Sequence, residues 1–389
     1  MDLQKAKFAA WPRETGRFGI RNHVVAISSV SCANFAVEQL ARRCDGLIPI
    51  THQHGCTHLG DDRQQVLRTL AGTAGNPNVG AVLIIGLGCE STTAGQIAEI
   101  VATENRMVDT LVIQQAGSVE DLLDRAERIV GRMRDFAASL ERIEVGPEAL
   151  TIGLECGGSD PFSGITANPT VGLATDALVD AGATVILSET TEMIGAEDAL
   201  LPRIERQEDR DKLLGWIARY LDQARVQGCD LRGVNPTPGN IRAGLSSIEE
   251  KSLGCICKGG SKPIVEVIDY AERPGRTGLV LMNTPGNDPE SITGMVAGGA
   301  NCVLFTTGVG TPLGNPVAPV IKIASNSPMA SRMASYIDLD AGRIIGGAAP
   351  QAVADELLEI LLAVAAGQLT LSERNGCREF AINRIGATY

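Results

Sequence analysis

All four histidines of the 389-residue chain fall within its first 58 residues, and three lie in one octapeptide, Thr51-His52-Gln53-His54-Gly55-Cys56-Thr57-His58. The octapeptide directly follows an apolar, β-branched run. His-x-His-x-Cys-x-His therefore sets imidazole and thiolate donors at the mouth of a sheet, a mixture that suits iron or zinc. The plainer alternative is a polar loop whose imidazoles cap the ends of helices or strands. Three more cysteines occupy comparable turns: Cys32 in SSVSCAN, Cys89 in GLGCES and Cys156 in LECGGSD. Strand ends on one edge of a parallel sheet converge, so these thiols and Cys56 are placed to meet on a metal or an iron–sulfur cluster. Alternatively, cysteine simply fits tight, glycine-flanked turns as a small side chain. Cys255-x-Cys257 reads as a structural pair on a strand, because its spacing is not that of a zinc knuckle or a thioredoxin-like site.

The segment from Gly157 to Pro169, GGSDPFSGITANP, follows an apolar run and opens a helix, so its backbone N–H groups and hydroxyls can cradle an anion such as a carboxylate. It is neither Gly-x-Gly-x-x-Gly nor a phosphate-binding Walker loop. Gly86-x-Gly88 also lacks a third glycine and an acidic ribose partner, which argues against a nucleotide. Two polar runs supply acid–base groups, Ser188-Glu189-Thr190-Thr191-Glu192 and Ile248-Glu249-Glu250-Lys251-Ser252-Leu253-Gly254. Either run, taken alone, also reads as a solvated helix face.

Positioning these groups falls to a repeating pattern of apolar run, small-residue turn and amphipathic segment. Strands are expected at HVVAISSV, GLIPIT, AVLIIGLG and DTLVIQQ, with helices at Ala33–Cys44, Asp61–Ala74, Thr93–Thr103 and Val119–Leu140. After a polar stretch with Gly146-Pro147, the pattern resumes with LTIGLECGG, TVILSE, GLVLMN, CVLFTTG and PVIKIA. Its helices are expected at Asn168–Ala181, Arg210–Gln227, Pro289–Ala300 and Pro350–Gly367. The fold class is thus α/β, as two doubly wound, mostly parallel-sheet domains over residues 1–146 and 147–389.

Composition narrows the partners. A formal net charge of −12 argues against nucleic acid and anionic membranes, and favours a small molecule held by local groups. The N-terminal MDLQKAKFAAWPRETGR lacks the apolar run of a signal peptide, and Ala81–Leu87 is too short to span a bilayer. A cytoplasmic location is expected, where ten cysteines would not serve as structural disulfides.

GRFGIRN, THQHGC, GLGCE, LECGGSDPFSGITANP, SETTEMIGAE, GNIRAGLSSIEEKSLG and VLFTTGVGTPLGNPVAPVIKIASN together resemble, in order, successive motifs of the altronate and galactarate dehydratases, from about Gly16 to Gly367. The resemblance implies an iron-dependent lyase, with Fe2+ or an iron–sulfur cluster as cofactor. It also implies a separate small alpha subunit carrying a substrate-binding N-terminal domain, with this chain as the large subunit, and an oligomer. The chemistry would be β-elimination on a small 2-hydroxy carboxylate, leaving an enol that becomes a 2-keto acid. The leading substrate is (2R)-3-sulfolactate, giving pyruvate and sulfite, as in the related sulfolactate sulfo-lyases; a sugar acid losing hydroxide is the alternative.

On the matching motifs, His52, Cys56, Cys89 and Cys156 are expected near the metal. Glu192 or Lys251 is expected as base, the other as acid, with His54 a further catalytic candidate. Arg21, Asn22, Asp160, Ser163 and Asn168 are expected to hold the substrate. From other classes, an iron–sulfur redox or sensor protein is the main rival, and a nicotinamide dehydrogenase is disfavoured by the missing glycine fingerprint.

Overall fold

The computed structural model describes residues 3–102, 107–386 and 389. Thr103, expected to end a helix, and residues 1–2 and 387–388 of the two expected domains lie outside the described residues. Among the described residues the strands form three sheets. β1 (Phe8–Pro12) and β2 (Phe18–Gly19) pair antiparallel. β3 (His23–Ser28), β4 (Ile48–Ile50), β5 (Val79–Gly86) and β6 (Met107–Val112) form a parallel sheet in the order β4-β3-β5-β6. β7 (Ile143–Val145) returns to pair antiparallel with β1.

The larger parallel sheet uses β8 (Thr151–Cys156), β9 (Thr184–Leu187), β10 (Ile264–Ile268), β11 (Leu279–Met282), β12 (Cys302–Thr307), β13 (Val320–Ala324) and β14 (Leu339–Asp340). Its order is β10-β11-β9-β8-β12-β13-β14. The chain is therefore α/β with two parallel sheets.

Strands such as β5 (VGAVLIIG) and β12 (CVLFTT) are buried along their whole length, because helices cover both faces of each sheet. The two-residue period of a strand then sorts side chains between layers. Val25 and Ile27 of β3, with Val82 and Ile84 of β5, face helices Gly60–Ala74 and Ala94–Ala102. Val24, Ala26, Ala81, Leu83 and Ile85 face helices Asn34–Arg43 and Val119–Ser139. Val280, Val303 and Phe305 of the larger sheet belong to the same apolar cluster as Val25 and Val82, joined through helix Asp288–Ala297. The opposite face, with Leu154, Leu187, Leu281 and Leu304, is covered by helices Ala167–Asp180 and Pro350–Ala365.

One local expectation is corrected. Cys255 and Cys257 lie on no strand: helix Ile248–Ile256 carries Cys255 and passes into a 3-10 turn at Cys257–Gly259. The Ser247 side chain accepts a hydrogen bond from the Glu250 N–H, and Glu249 and Glu250 occupy the first turn, where they complement the helix dipole. No helix among the described residues is long and apolar enough to cross a membrane.

Candidate functional site

β8, β9 and β12 run parallel, so their C-terminal ends line one edge of the larger sheet. Cys156 ends β8, and its N–H donates to Glu189 Oε2 at 2.9 Å. Glu189 follows β9 with φ of 68°, a left-handed conformation uncommon outside glycine. Its N–H is held there by Thr284 Oγ1 at 2.7 Å. The Cys156 Sγ lies 3.6 Å from Glu189 Oε1 and 3.5 Å from Cys255 Sγ. Lys258, also fully buried, pairs with Glu189 Oε2 and donates to Cys255 Sγ at 3.3 Å. Burial works against the ammonium, yet the two thiols and Glu189 hold the Lys258 proton well above the ordinary lysine range. The hydrogen bond with Cys255, and then burial, push the Cys156 thiol well up.

Further carboxyls crowd this centre. Glu155 accepts from Ser291 Oγ at 2.6 Å and Ser188 Oγ at 3.2 Å, while its Oε1 has no hydrogen-bond partner among the described residues. Burial first, then Glu189 and Asp288, push Glu155 well above the carboxylate range. Asp288 is pushed up to about 7 by burial and then by Glu189 and Glu192.

Cys156, Glu189 and Cys255 are, among the described residues, the group of three ligand atoms lying within 4.8 Å of one another. Their separations of 3.5 and 3.6 Å match the edge of a tetrahedron with bonds of roughly 2.2 Å. Two thiols and a carboxylate suit iron or zinc. The carboxyls of Glu155, Glu189, Glu192 and Asp288 also outnumber the ammoniums of Lys251 and Lys258 in this neighbourhood, so an added cation is electrostatically favoured. The residues fit a metal.

A cavity of about 260 Å3 opens beside this centre, lined by Ser159, Asp160, Ser163, Asn168, Lys251 and Gly254 among others. Ser159 joins the two, since its Oγ lies 3.9 Å from Cys156 Sγ while the residue lines the cavity. Lys251 Nζ donates to Glu192 Oε1 at 3.0 Å and to Asn235 Oδ1 at 2.9 Å. Burial raises the Glu192 pKa despite Lys251, and Glu192 Oε2 has no hydrogen-bond partner among the described residues. The Lys251 pKa is raised as well, Glu192 outweighing the opposing effect of burial.

Asp160 organises the wall. It accepts from the Ser163 N–H and Oγ, from Ser325 Oγ and from Asn326 Nδ2 at 2.6–2.9 Å. Asn168 ties helix Ala167–Asp180 to helix Ile248–Ile256 by donating to the Gly254 carbonyl at 2.9 Å. There Gly164 and Gly254 approach so closely that a Cβ on either would lie about 3 Å from the other's Cα, so a side chain at either position would push the wall apart.

The structure thus brings together Asp160, Ser163, Asn168 and Lys251 at one cavity, with Glu192 behind Lys251 and Cys156 behind Ser159. It places the remaining expected residues elsewhere. Arg21 spends its guanidinium on Glu373 and on the carbonyls of Ile20, Val364 and Gln368, clamping the C-terminal region. Asn22 accepts from Arg13 and donates to the Ala137 carbonyl. Both precede β3, at the opposite end of a strand from the edge where ligands sit.

His52 donates from Nε2 to the Ser28 carbonyl and accepts at Nδ1 from the His54 N–H, so both ring nitrogens are taken. Burial lowers its pKa to about 4 and keeps it neutral. His54 is half-buried, its ring 5.4 Å from that of His58, and burial lowers its pKa. Cys56 is half-buried against the apolar cluster of the smaller sheet. Cys89 is exposed beside Gln114.

Cys255, Lys258, Glu155 and Asp288 were not singled out for the site from sequence. A signal for two of them exists: Ser247-x-x-Glu250 marks a helix start, and Lys251, Cys255 and Lys258 then recur at i, i+4 and i+7 on one face.

Two family models match the chain: D-galactarate dehydratase/altronate hydrolase, second domain, over residues 10–138, and D-galactarate/altronate dehydratase, C-terminal, over residues 147–388. Altronate dehydratase of Bacillus subtilis is 34% identical over 98% of this chain and 78% of its own length. The (2R)-sulfolactate sulfo-lyase subunit beta of Chromohalobacter salexigens is 35% identical over 99% of both chains. Galactarate dehydratase of Escherichia coli is 37% identical over 78% of this chain and 59% of its own. The chain belongs to the D-galactarate/altronate dehydratase family.

Proposed function

We propose that this chain is the large catalytic subunit of a cytoplasmic lyase that performs β-elimination on a small 2-hydroxy carboxylate, working with a separate small alpha subunit. The observation that carries the reading is the juxtaposition of a cavity of about 260 Å3 whose wall includes Ser159, Asp160 and Ser163, the Lys251–Glu192 pair at that wall and the Cys156–Glu189–Cys255 group behind Ser159. Iron held by Cys156, Glu189 and Cys255 would supply Lewis-acid polarisation of the substrate carboxylate or 2-hydroxyl and so acidify the C2 proton.

The chain's own residues do the rest. Lys251 presents a charged ammonium to the cavity and receives the substrate's negative charge. Ser159, on the cavity wall with only a long 3.9 Å contact from its Oγ to Cys156 Sγ, donates its hydroxyl to the carboxylate, and Ser163, bonded to Asp160, shapes the wall. Glu192 stands one ion pair behind the wall, with a raised pKa and an uncapped Oε2, and accepts the C2 proton through one water. Asp160 and Asn168 hold the wall in shape.

3-Sulfolactate is the preferred substrate, giving pyruvate and sulfite. The full-length match to a sulfo-lyase subunit beta supports it. A sugar acid losing hydroxide is the second reading, favoured by altronate dehydratases of equal similarity. Both substrates are to be assayed anaerobically with the small subunit and iron present. Sulfite with pyruvate establishes the first reading, a keto-deoxy acid from altronate alone establishes the second, and release of neither from iron-loaded protein refutes both.

A further inference from the structure

Cys156 and Cys255 face each other across two separate elements, the end of β8 and helix Ile248–Ile256, with their sulfurs 3.5 Å apart. A disulfide needs about 2.05 Å between sulfurs, so the bond requires a further approach of roughly 1.5 Å. Lys258 Nζ donates a hydrogen bond to Cys255 Sγ at 3.3 Å, so an ammonium stands directly beside one of the two sulfurs. Both thiols are buried, and Cys156 Sγ lies 3.9 Å from the Oγ of Ser159, a residue of the cavity wall, so a single side chain separates the pair from the cavity.

We infer that Cys156 and Cys255 form a reversible disulfide with a peroxide, and that the bond disables the site. In the first step the Cys255 sulfur attacks the peroxide, the O–O bond breaks, and Cys255 becomes a sulfenic acid while the other oxygen leaves as water with the Cys255 proton. In the second, Cys156 sulfur attacks the sulfenic sulfur, the S–O bond breaks, and the second oxygen leaves as water with the Cys156 proton. Two thiols lose two electrons together and hydrogen peroxide is reduced to two waters. The bond would consume two of the three candidate metal-binding groups. It would also tether the helix that carries Lys251 to the sheet edge. The formation of the bond stands on its own; only the loss of activity rests on the proposed function.

The test uses the wild-type protein, as purified and after dialysis against a chelator. It is treated with hydrogen peroxide, alkylated, and digested without reduction for mass spectrometry. A linked Cys156–Cys255 peptide, cleaved by dithiothreitol, is expected in at least one preparation. Elimination activity should fall in step with its formation and return on reduction. If both cysteines are recovered alkylated in both preparations after the exposed Cys32, Cys89 and Cys229 have oxidised, the inference is overturned. The linked peptide in a protein without lyase activity would uphold the disulfide and count against the functional reading. A folded Cys255→Ser variant, checked by circular dichroism, should instead leave Cys156 unlinked.

Discussion

Glu192 shows how burial shapes a single residue's chemistry. A carboxyl with a raised pKa is a stronger base than an exposed one, and only its ionised form accepts a proton. The acid limb of kcat/KM is therefore expected above the ordinary carboxylate range, with activity rising as pH rises through it. Glu192→Gln should remove that limb and lower kcat by about 10²- to 10⁴-fold, as a pH–rate profile of both proteins would show. A variant that keeps the limb would assign it to another group. Cys156→Ser should lower iron content, measured by elemental analysis, below that of wild type; equal iron in both would remove Cys156 from the metal. At this scale the sequence was informative where a motif stood directly after a strand, as with Cys156, Asp160, Ser163 and Asn168. It was less so for Cys255, Lys258 and Asp288, because their nearness to Cys156 arises only from tertiary packing across distant segments.

Helix Ile248–Ile256 is the element on which the site depends, since it carries both Lys251 and Cys255. Its start is fixed by Ser247, whose Oγ accepts from the Glu250 N–H at 3.2 Å. Ser247→Ala is expected to cost about 1 kcal/mol, readable as a lowered urea midpoint with an unchanged slope. An unchanged midpoint would mean that packing alone starts the helix. The strand–helix alternation was legible because fully buried parallel strands are continuous apolar runs and their helices are amphipathic. The short antiparallel pieces β1, β2 and β7 were not, since strands of two to five residues carry too little periodic signal.

At the scale of the whole molecule, an apolar cluster shared by the two parallel sheets holds them together, while carboxyls gather at one edge of the larger sheet. That crowding has a cost that depends on pH. Asp288 has a folded pKa of about 7, above its unfolded value, so its contribution to stability is fully present below pH about 4 and is lost as pH rises towards and through 7. Asp288→Asn should therefore gain on the order of 2 kcal/mol relative to wild type at pH 8 and little at pH 4, read from denaturant unfolding at both values. Equal effects at both would show that Asp288 ionises normally. The claim that the cavity beside Cys156 is where elimination occurs is tested most directly by 2-keto acid formation from 3-sulfolactate and altronate by wild type and Lys251→Ala, both loaded with iron and matched for fold by circular dichroism. Product is expected from wild type on one substrate, with a loss of at least about 10²-fold in the variant. A variant as active as wild type would contradict it.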